Sequence, residues 1–296
     1  MSMDAVTLPD LSGRTAIVTG ANSGLGVETT RMLAGMGARV VMAVRDVDKG
    51  REAADAVRGE TEVRWLDLAD LASVRAFAKE WKGDLHLLIN NAGVMAIPES
   101  RTKDGFETQF GTNHLGHFAL TNLLLEHVTG RVVTVSSSLH RRAPGIEFDN
   151  VDLVGRYTPY RAYNQSKLAN LLFTLELQRR LADAGSPVLA VAAHPGYAAT
   201  NLQSHSGSRV QRALLAVGNR VFAQNATAGA LPTIYAATQD VPGAAYAGPK
   251  NMGGQRGAPA LAGRSEAAWN SVAAHRLWAL SEELTGVTFP LTSSTG

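Results

Sequence analysis

The chain has 296 residues, 28 Lys+Arg against 26 Asp+Glu, 45% hydrophobic residues and no cysteine. The absence of cysteine excludes a disulfide framework, a thiolate zinc site, an iron–sulfur cluster and a cysteine nucleophile. Near-balanced charge, with no run of five like charges, argues against a nucleic-acid partner, and no apolar stretch reaches the roughly 18 residues of a membrane span. Met1–Pro9 lacks a basic segment followed by an apolar one, so no secretory leader is expected. The expectation is a soluble cytoplasmic protein with no membrane partner.

In chain order, Thr15–Val18 reads as a short apolar strand and Val27–Met36 as a helix closed by Gly37. Arg39–Val44 is a second strand and Asp48–Val57 a second helix. Glu62–Leu66 and Leu85–Ile89 are further strands, with a helix over Leu71–Trp81 between them. Phe106–Val128 reads as one long helix, Arg131–Val135 as a fifth strand, Tyr160–Leu181 as a helix and Val188–Ala193 as a sixth strand. Strands apolar throughout, separated by amphipathic helices, predict an α/β fold with a doubly wound parallel sheet, a single Rossmann-type domain over 1–296.

Three stretches break the rhythm. Leu139–Pro159 predicts a substrate-loop insertion, residues 202–225 a helical substrate lid, and the glycine- and proline-rich Pro242–Gly263 a surface excursion.

The first βα junction reads Thr19-Gly20-Ala21-Asn22-Ser23-Gly24-Leu25-Gly26. A dinucleotide pyrophosphate sits at a helix N-terminus, where free N–H groups and the dipole favour an anion, and glycines let backbone approach it. The triplet follows a strand and opens a helix, the context that gives such a motif its meaning.

With this turn come Asp67-Leu68 after the third strand, Asn90-Asn91-Ala92-Gly93 after the fourth, and Pro195-Gly196 with Thr200 after the sixth. Together they resemble the short-chain dehydrogenase/reductase superfamily over residues 11 to 240. Arg131–Ser137 and Ser166–Asn170 resemble its retinol-dehydrogenase-like and protochlorophyllide-reductase-like branch. The resemblance implies that Asp67 contacts adenine, that Asn90–Gly93 walls the cofactor pocket, and that Pro195, Gly196 and Thr200 hold the nicotinamide amide. It also implies a homo-dimer or homo-tetramer.

Tyr163 and Lys167 stand four apart on a predicted helix and so share a face. A phenol with a pKa of about 10 is a poor base at pH 7, and a neighbouring ammonium is expected to lower it. The pair is a general acid/base for a carbonyl or alcohol oxygen. A second copy of the spacing, Tyr246 and Lys250, has Gly248-Pro249 between its members and cannot share a regular helix. Ser136, Ser137 and Ser138 close the fifth strand; chemistry alone does not choose among these hydroxyls, whereas the resemblance implies Ser137. Asn113 is a poor residue inside a helix unless its amide has a task, and the resemblance implies a helix-bending, water-holding role. His114 and His117 lack the acidic companion of a zinc helix, so no metal is expected. His194 is expected to be a buried support for the site.

The implied activity is hydride transfer between a nicotinamide and a carbonyl or alcohol carbon of a small, apolar substrate, NADP(H) being favoured over NAD(H). The second strand ends without an acid, and Arg45 follows where a 2′-phosphate is expected, although Asp46 is adjacent. Double-bond reduction of the protochlorophyllide type and silent NADP(H) sensing are the alternatives.

Overall fold

A computed structural model describes residues 8–196 and 226–291. Eight strands form one sheet in the order β3-β2-β1-β4-β5-β6-β7-β8. They are β1 (Thr15–Thr19), β2 (Arg39–Val44), β3 (Thr61–Trp65), β4 (Leu85–Asn90), β5 (Val128–Val135), β6 (Leu189–Ala193), β7 (Tyr246–Asn251) and β8 (Arg256–Leu261). All neighbours pair parallel except β7 and β8. Strand order reverses between β1 and β4, and a doubly wound sheet binds ligands in the crevice at that point.

The alternation of side chains across each strand explains why the strands are apolar throughout. Ile17, Val41 and Leu88 face one layer, whereas Val18, Met42 and Ile89 face the other. Helices α1 (Gly24–Gly35), α2 (Val47–Asp55) and α7 (Ala226–Thr238) cover the second face. On the first lie α3 (Leu71–Lys79), α5 (Gly116–Leu124), α6 (Pro159–Asp183) and α8 (Ser271–Thr285). Phe118, Phe173 and Trp278 bind α5, α6 and α8 together, with Phe173 and Trp278 stacked at 5.7 Å between centroids.

Two readings from sequence need correction. The long helix predicted over Phe106–Val128 is broken. A short α4 (Thr108–Phe110) leads into a π-helical turn, Gly111–Leu115, before α5 begins, and Val128 already belongs to β5. The stretch Pro242–Gly263 is no surface excursion. It contains β7 and β8, a hairpin that extends the sheet, reversing through Met252, Gly253 and Gly254, all at positive φ. The 139–159 segment is short 3-10 turns, Ser138–Arg142 and Phe148–Asn150, between irregular chain. The predicted lid lies outside the described residues.

Candidate active site

The glycine turn leaves the first helix open to an anion. Ser23, the residue before α1, is extended and makes no side-chain cap, and the first turn of α1 holds no acid. Its N–H groups and dipole therefore face the crevice uncompensated. Gly26 is forced by packing: a Cβ there would lie 2.2 Å from the Gly20 carbonyl oxygen and 2.9 Å from Asn91 Nδ2. Gly20 has φ +65° and abuts Ala92, so the turn and the β4 exit are in contact. Ala21 is buried, Asn22, Gly24 and Leu25 are half-buried, and Ser23 is exposed at the tip. These features fit a dinucleotide pyrophosphate.

Thr19 organises the wall. Its Oγ1 accepts from the N–H groups of Asn91 and Ala92, each at 2.9 Å, while Asn91 Nδ2 donates to the Thr19 carbonyl at 2.8 Å. With both lone pairs used, the hydroxyl proton goes to His117 Nε2 at 2.9 Å, better placed than Ile89 O at 3.4 Å. His117 must then carry its proton on Nδ1, which donates to the Asn113 carbonyl at 3.0 Å. That carbonyl lies in the π-helical turn. His117 links the Asn91–Ala92 turn to Asn113, a role that weighing it only as a metal ligand did not reveal; its signal was its spacing of four from Asn113.

Asn113 is fully buried and its amide is fully employed. Oδ1 accepts from Val94 N–H at 2.8 Å, and Nδ2 donates to Val94 O and Ser166 Oγ, both at 2.9 Å. Ser166 in turn donates to the Tyr163 carbonyl at 2.8 Å. A Cβ on Gly93 would stand 3.1 Å from Asn113 Oδ1 and 3.5 Å from Lys167 Nζ. The Asn90–Gly93 segment therefore meets Asn113 and Lys167 directly. Asn90, by contrast, turns its Nδ2 to Thr121 Oγ1 and leaves Oδ1 buried without a partner.

The three serines differ in what they face. Ser136 Oγ donates to the Lys167 carbonyl at 2.7 Å and is buried, an anchor for α6. Ser137 is half-buried, accepts from Leu139 N–H at 3.2 Å, and its hydroxyl acts on the Tyr163 phenol. Ser138 starts the next 3-10 turn.

Lys167 Nζ donates to the Val135 carbonyl at 3.0 Å and lies 5.7 Å from the Tyr163 ring centroid. Burial pulls the ammonium down to about 8 and pushes the Tyr163 phenol up to about 12, the Ser137 hydroxyl opposing the latter. The lowered phenol expected from the spacing is thus not a property of the protein alone. Desolvation outweighs the lysine's field, because Nζ is drawn toward the strand.

Asp67 is half-buried, with Oδ1 accepting from Ala69 N–H at 2.9 Å, and Leu68 packs in the core against Gly116. Arg45 is exposed at the end of β2. Asp46 caps α2, accepting from Lys49 N–H at 3.1 Å and pairing with Lys49 Nζ at 3.1 Å. Gly196 follows Pro195 at φ +69° against the β7–β8 hairpin; Thr200 lies outside the described residues. His114 turns away from His117 to Ser281 Oγ at 2.9 Å. The second Tyr–Lys pair lies on β7, where Tyr246 is buried and Lys250 exposed.

A family model described as short chain dehydrogenase matches residues 14–211, and the chain belongs to this family of NAD(P)-dependent oxidoreductases acting on alcohol and carbonyl groups. Within it the chain falls in the retinol-dehydrogenase-like branch. Mouse retinol dehydrogenase 11 is 44% identical over 290 residues, covering 94% of this chain and 88% of that protein. Mouse retinol dehydrogenase 12 is 49% identical over 208 residues, 66% of this chain but only 65% of that protein's length. A crystal structure of an uncharacterized protein from Mycobacterium paratuberculosis is 53% identical, covers 96% of this chain and 97% of its own, and superposes with a TM-score of 0.83.

Proposed function

We propose that the protein transfers hydride between NADP(H) and the carbonyl or alcohol carbon of a small, predominantly apolar molecule. The carrying observation is the convergence of Ser137, Tyr163, Lys167 and Asn113 beside Gly93 and the open N-terminus of α1. The nicotinamide supplies the hydride. Tyr163 gives its proton to the developing alkoxide in reduction and takes it back in oxidation. Ser137 donates to the same oxygen and fixes it beside the phenol. Lys167 holds the nicotinamide ribose and supplies the local positive charge. Asn113 keeps the π-helical turn and Val94 in register with both.

Support for the phosphorylated dinucleotide comes from Asp46. Its carboxylate is engaged by the α2 cap and by Lys49, so the acid next to Arg45 is not free to select a ribose 2′-OH. An NADPH-oxidation screen across aliphatic, aromatic, steroid and retinoid carbonyls tests the proposal. Turnover of at least one class, abolished by Tyr163→Phe, is the expected result. Saturable NADPH binding without turnover of any class is the result that overturns it.

A further inference from the structure

One residue beyond Ser137, a cavity of about 220 Å³ opens between the end of β5, the end of β6 and the β7–β8 hairpin. Its polar lining is Ser138, Arg141, His194, Tyr246 and Lys250, and it contains no carboxylate. His194 Nδ1 accepts the Gly196 N–H at 3.2 Å, so on a neutral ring the proton sits on Nε2. Burial holds that ring neutral, pulling it down to about 4. The ring lies against Gly248, where a Cβ would stand 2.0 Å from Nε2, and within van der Waals reach of Gly254. Tyr246 is buried, and its hydroxyl has only the Ser136 hydroxyl acting on it and no well-formed hydrogen bond. Arg141 and Lys250 are both exposed; Arg141 makes a contact to the Gly263 carbonyl, and neither makes an ion pair among the described residues. Behind Tyr246, buried Arg264 lies over the Tyr246 and Trp269 rings with two nitrogens lacking acceptors. The titratable groups acting on Tyr246 and His194 are Arg141, Arg264, His140 and the Tyr163 phenol, with no carboxylate among them.

A pocket with several donors, two unpaired cations and no anion is incomplete in charge and in hydrogen bonding. What completes it is an acceptor carrying negative charge. We propose that this pocket takes the carboxylate end of the substrate, whose carbonyl end lies at Ser137 and Tyr163. At about 220 Å³ it accommodates an end group and a few carbons, and is smaller than pockets of roughly 300–1,000 Å³ that enclose whole ligands. The substrate class is therefore an oxo or hydroxy compound with an apolar body and a carboxylate at the far end. This rests on the oxidoreductase reading above and narrows it.

The test pairs 4-carboxybenzaldehyde with its neutral isostere 4-carbamoylbenzaldehyde, under NADPH, in the full-length wild type and in Arg141→Gln and Lys250→Gln. The wild type is expected to favour the carboxylate in kcat/KM by about tenfold or more, the weight of one charge-assisted contact. Arg141→Gln should remove most of that preference through KM. Lys250→Gln, at the wet mouth, should remove about threefold. The amide should change by less than twofold in both. Equal wild-type rates for the two aldehydes, or parallel losses on both in the variants, overturn the inference and leave the oxidoreductase reading standing. If neither aldehyde turns over, calorimetric titration of terephthalate into the NADPH-loaded protein decides. Binding that weakens about tenfold in the double variant supports the anion pocket although the proposed reaction has failed. No binding to the wild type overturns it.

Discussion

Lys167 Nζ and the Val135 carbonyl, 3.0 Å apart, tie this lysine to the last residue of β5 rather than to the Tyr163 phenol one helical turn away. Asn170 Nδ2 donates to the same carbonyl at 3.1 Å. The strand that presents Ser137 and the helix that presents Tyr163 are thereby pinned at one atom. Burial leaves this ammonium charged only below about pH 8, whereas the phenol keeps its proton to about 12. Carbonyl reduction needs both the phenolic proton and the lysine charge, so its rate should fall above about pH 8 and track Lys167. Lys167→Arg carries its charge past pH 12. Its activity will be lower, but the descending limb of its pH profile should move beyond pH 10. An unmoved limb assigns the ionisation to another group.

Tyr163→Phe keeps the ring and its burial and removes only the transferable proton. We expect kcat to fall by at least about 100-fold. NADPH affinity, measured by fluorescence titration, should stay within a factor of two. Comparable turnover in the variant removes Tyr163 from the mechanism.

Thr19 serves three groups with one hydroxyl, so replacing it is expected to cost more than one hydrogen bond. Thr19→Val strands the Ala92 N–H and leaves His117 Nε2 without a donor, while the Asn91 N–H keeps the Ile89 carbonyl at 2.9 Å. Each buried orphan costs about 1–3 kcal/mol, and the backbone shift should also weaken NADPH binding. Thr19→Ser retains the hydroxyl and should lie close to wild type in both urea denaturation and cofactor titration. Equal effects of Val and Ser would assign the role to packing of the methyl group.

The strands, the glycine turn and the pairing of Tyr163 with Lys167 were legible because each follows from a local period or spacing. Ile17, Val41 and Leu88 alternate with Val18, Met42 and Ile89 on a two-residue repeat, and Tyr163 and Lys167 lie one helical turn apart. What stayed hidden depends on contacts distant in sequence. The β7–β8 hairpin reads as a loop because Pro249 and Pro259 oppose one another in it and glycines form its turn. Such residues are tolerated where one strand is an edge and the other pairs only partly. The helix Ala226–Thr238 contains Pro232, and only burial against the sheet makes it tenable. The π-helical turn at Asn113 leaves the helical pattern of Phe106–Val128 unmarked in composition. Choosing Ser137 over Ser136 required knowing that Ser136 faces the Lys167 carbonyl.

Four buried histidines set the acid limit of the fold. Burial lowers His114 to about 3 and His117, His140 and His194 to about 4, from 6.5. Above pH 6.5 neither the folded nor the unfolded state binds these protons, and they cost nothing. Below it the unfolded chain takes them up while the folded one does not, so each destabilises by about 1.4 kcal/mol per pH unit down to its folded value. The Tm should therefore fall steeply between pH 6.5 and 4.5, above the range in which the carboxylates titrate. His114→Gln should reduce the slope by one proton. A flat profile over that window contradicts neutral burial of these rings.

On the proposed NADP(H) reading, the dinucleotide preference turns on Arg45. The β2 register places Val44 opposite Trp65 as the last paired residue, so Arg45 is the first side chain free to reach over the β2 end. It is exposed and makes no ion pair among the described residues, whereas its neighbour Asp46 is engaged with Lys49. A guanidinium in that position presents several donors to a phosphate and offers nothing to a ribose hydroxyl that a water does not. Arg45→Ala should remove a charge-assisted contact of about 1.5–3 kcal/mol and weaken NADPH binding tenfold or more. NADH, lacking the 2′-phosphate, should barely change. Asp46→Asn is the companion variant. It loses charge at the α2 cap but keeps an acceptor, and on this reading it lowers helix stability slightly without raising NADPH affinity. Titration of both nucleotides into the wild type and the two variants separates the cases. Equal losses of NADPH and NADH in Arg45→Ala, or a wild type that prefers NADH, would assign the ribose end of the site to Asp46 instead.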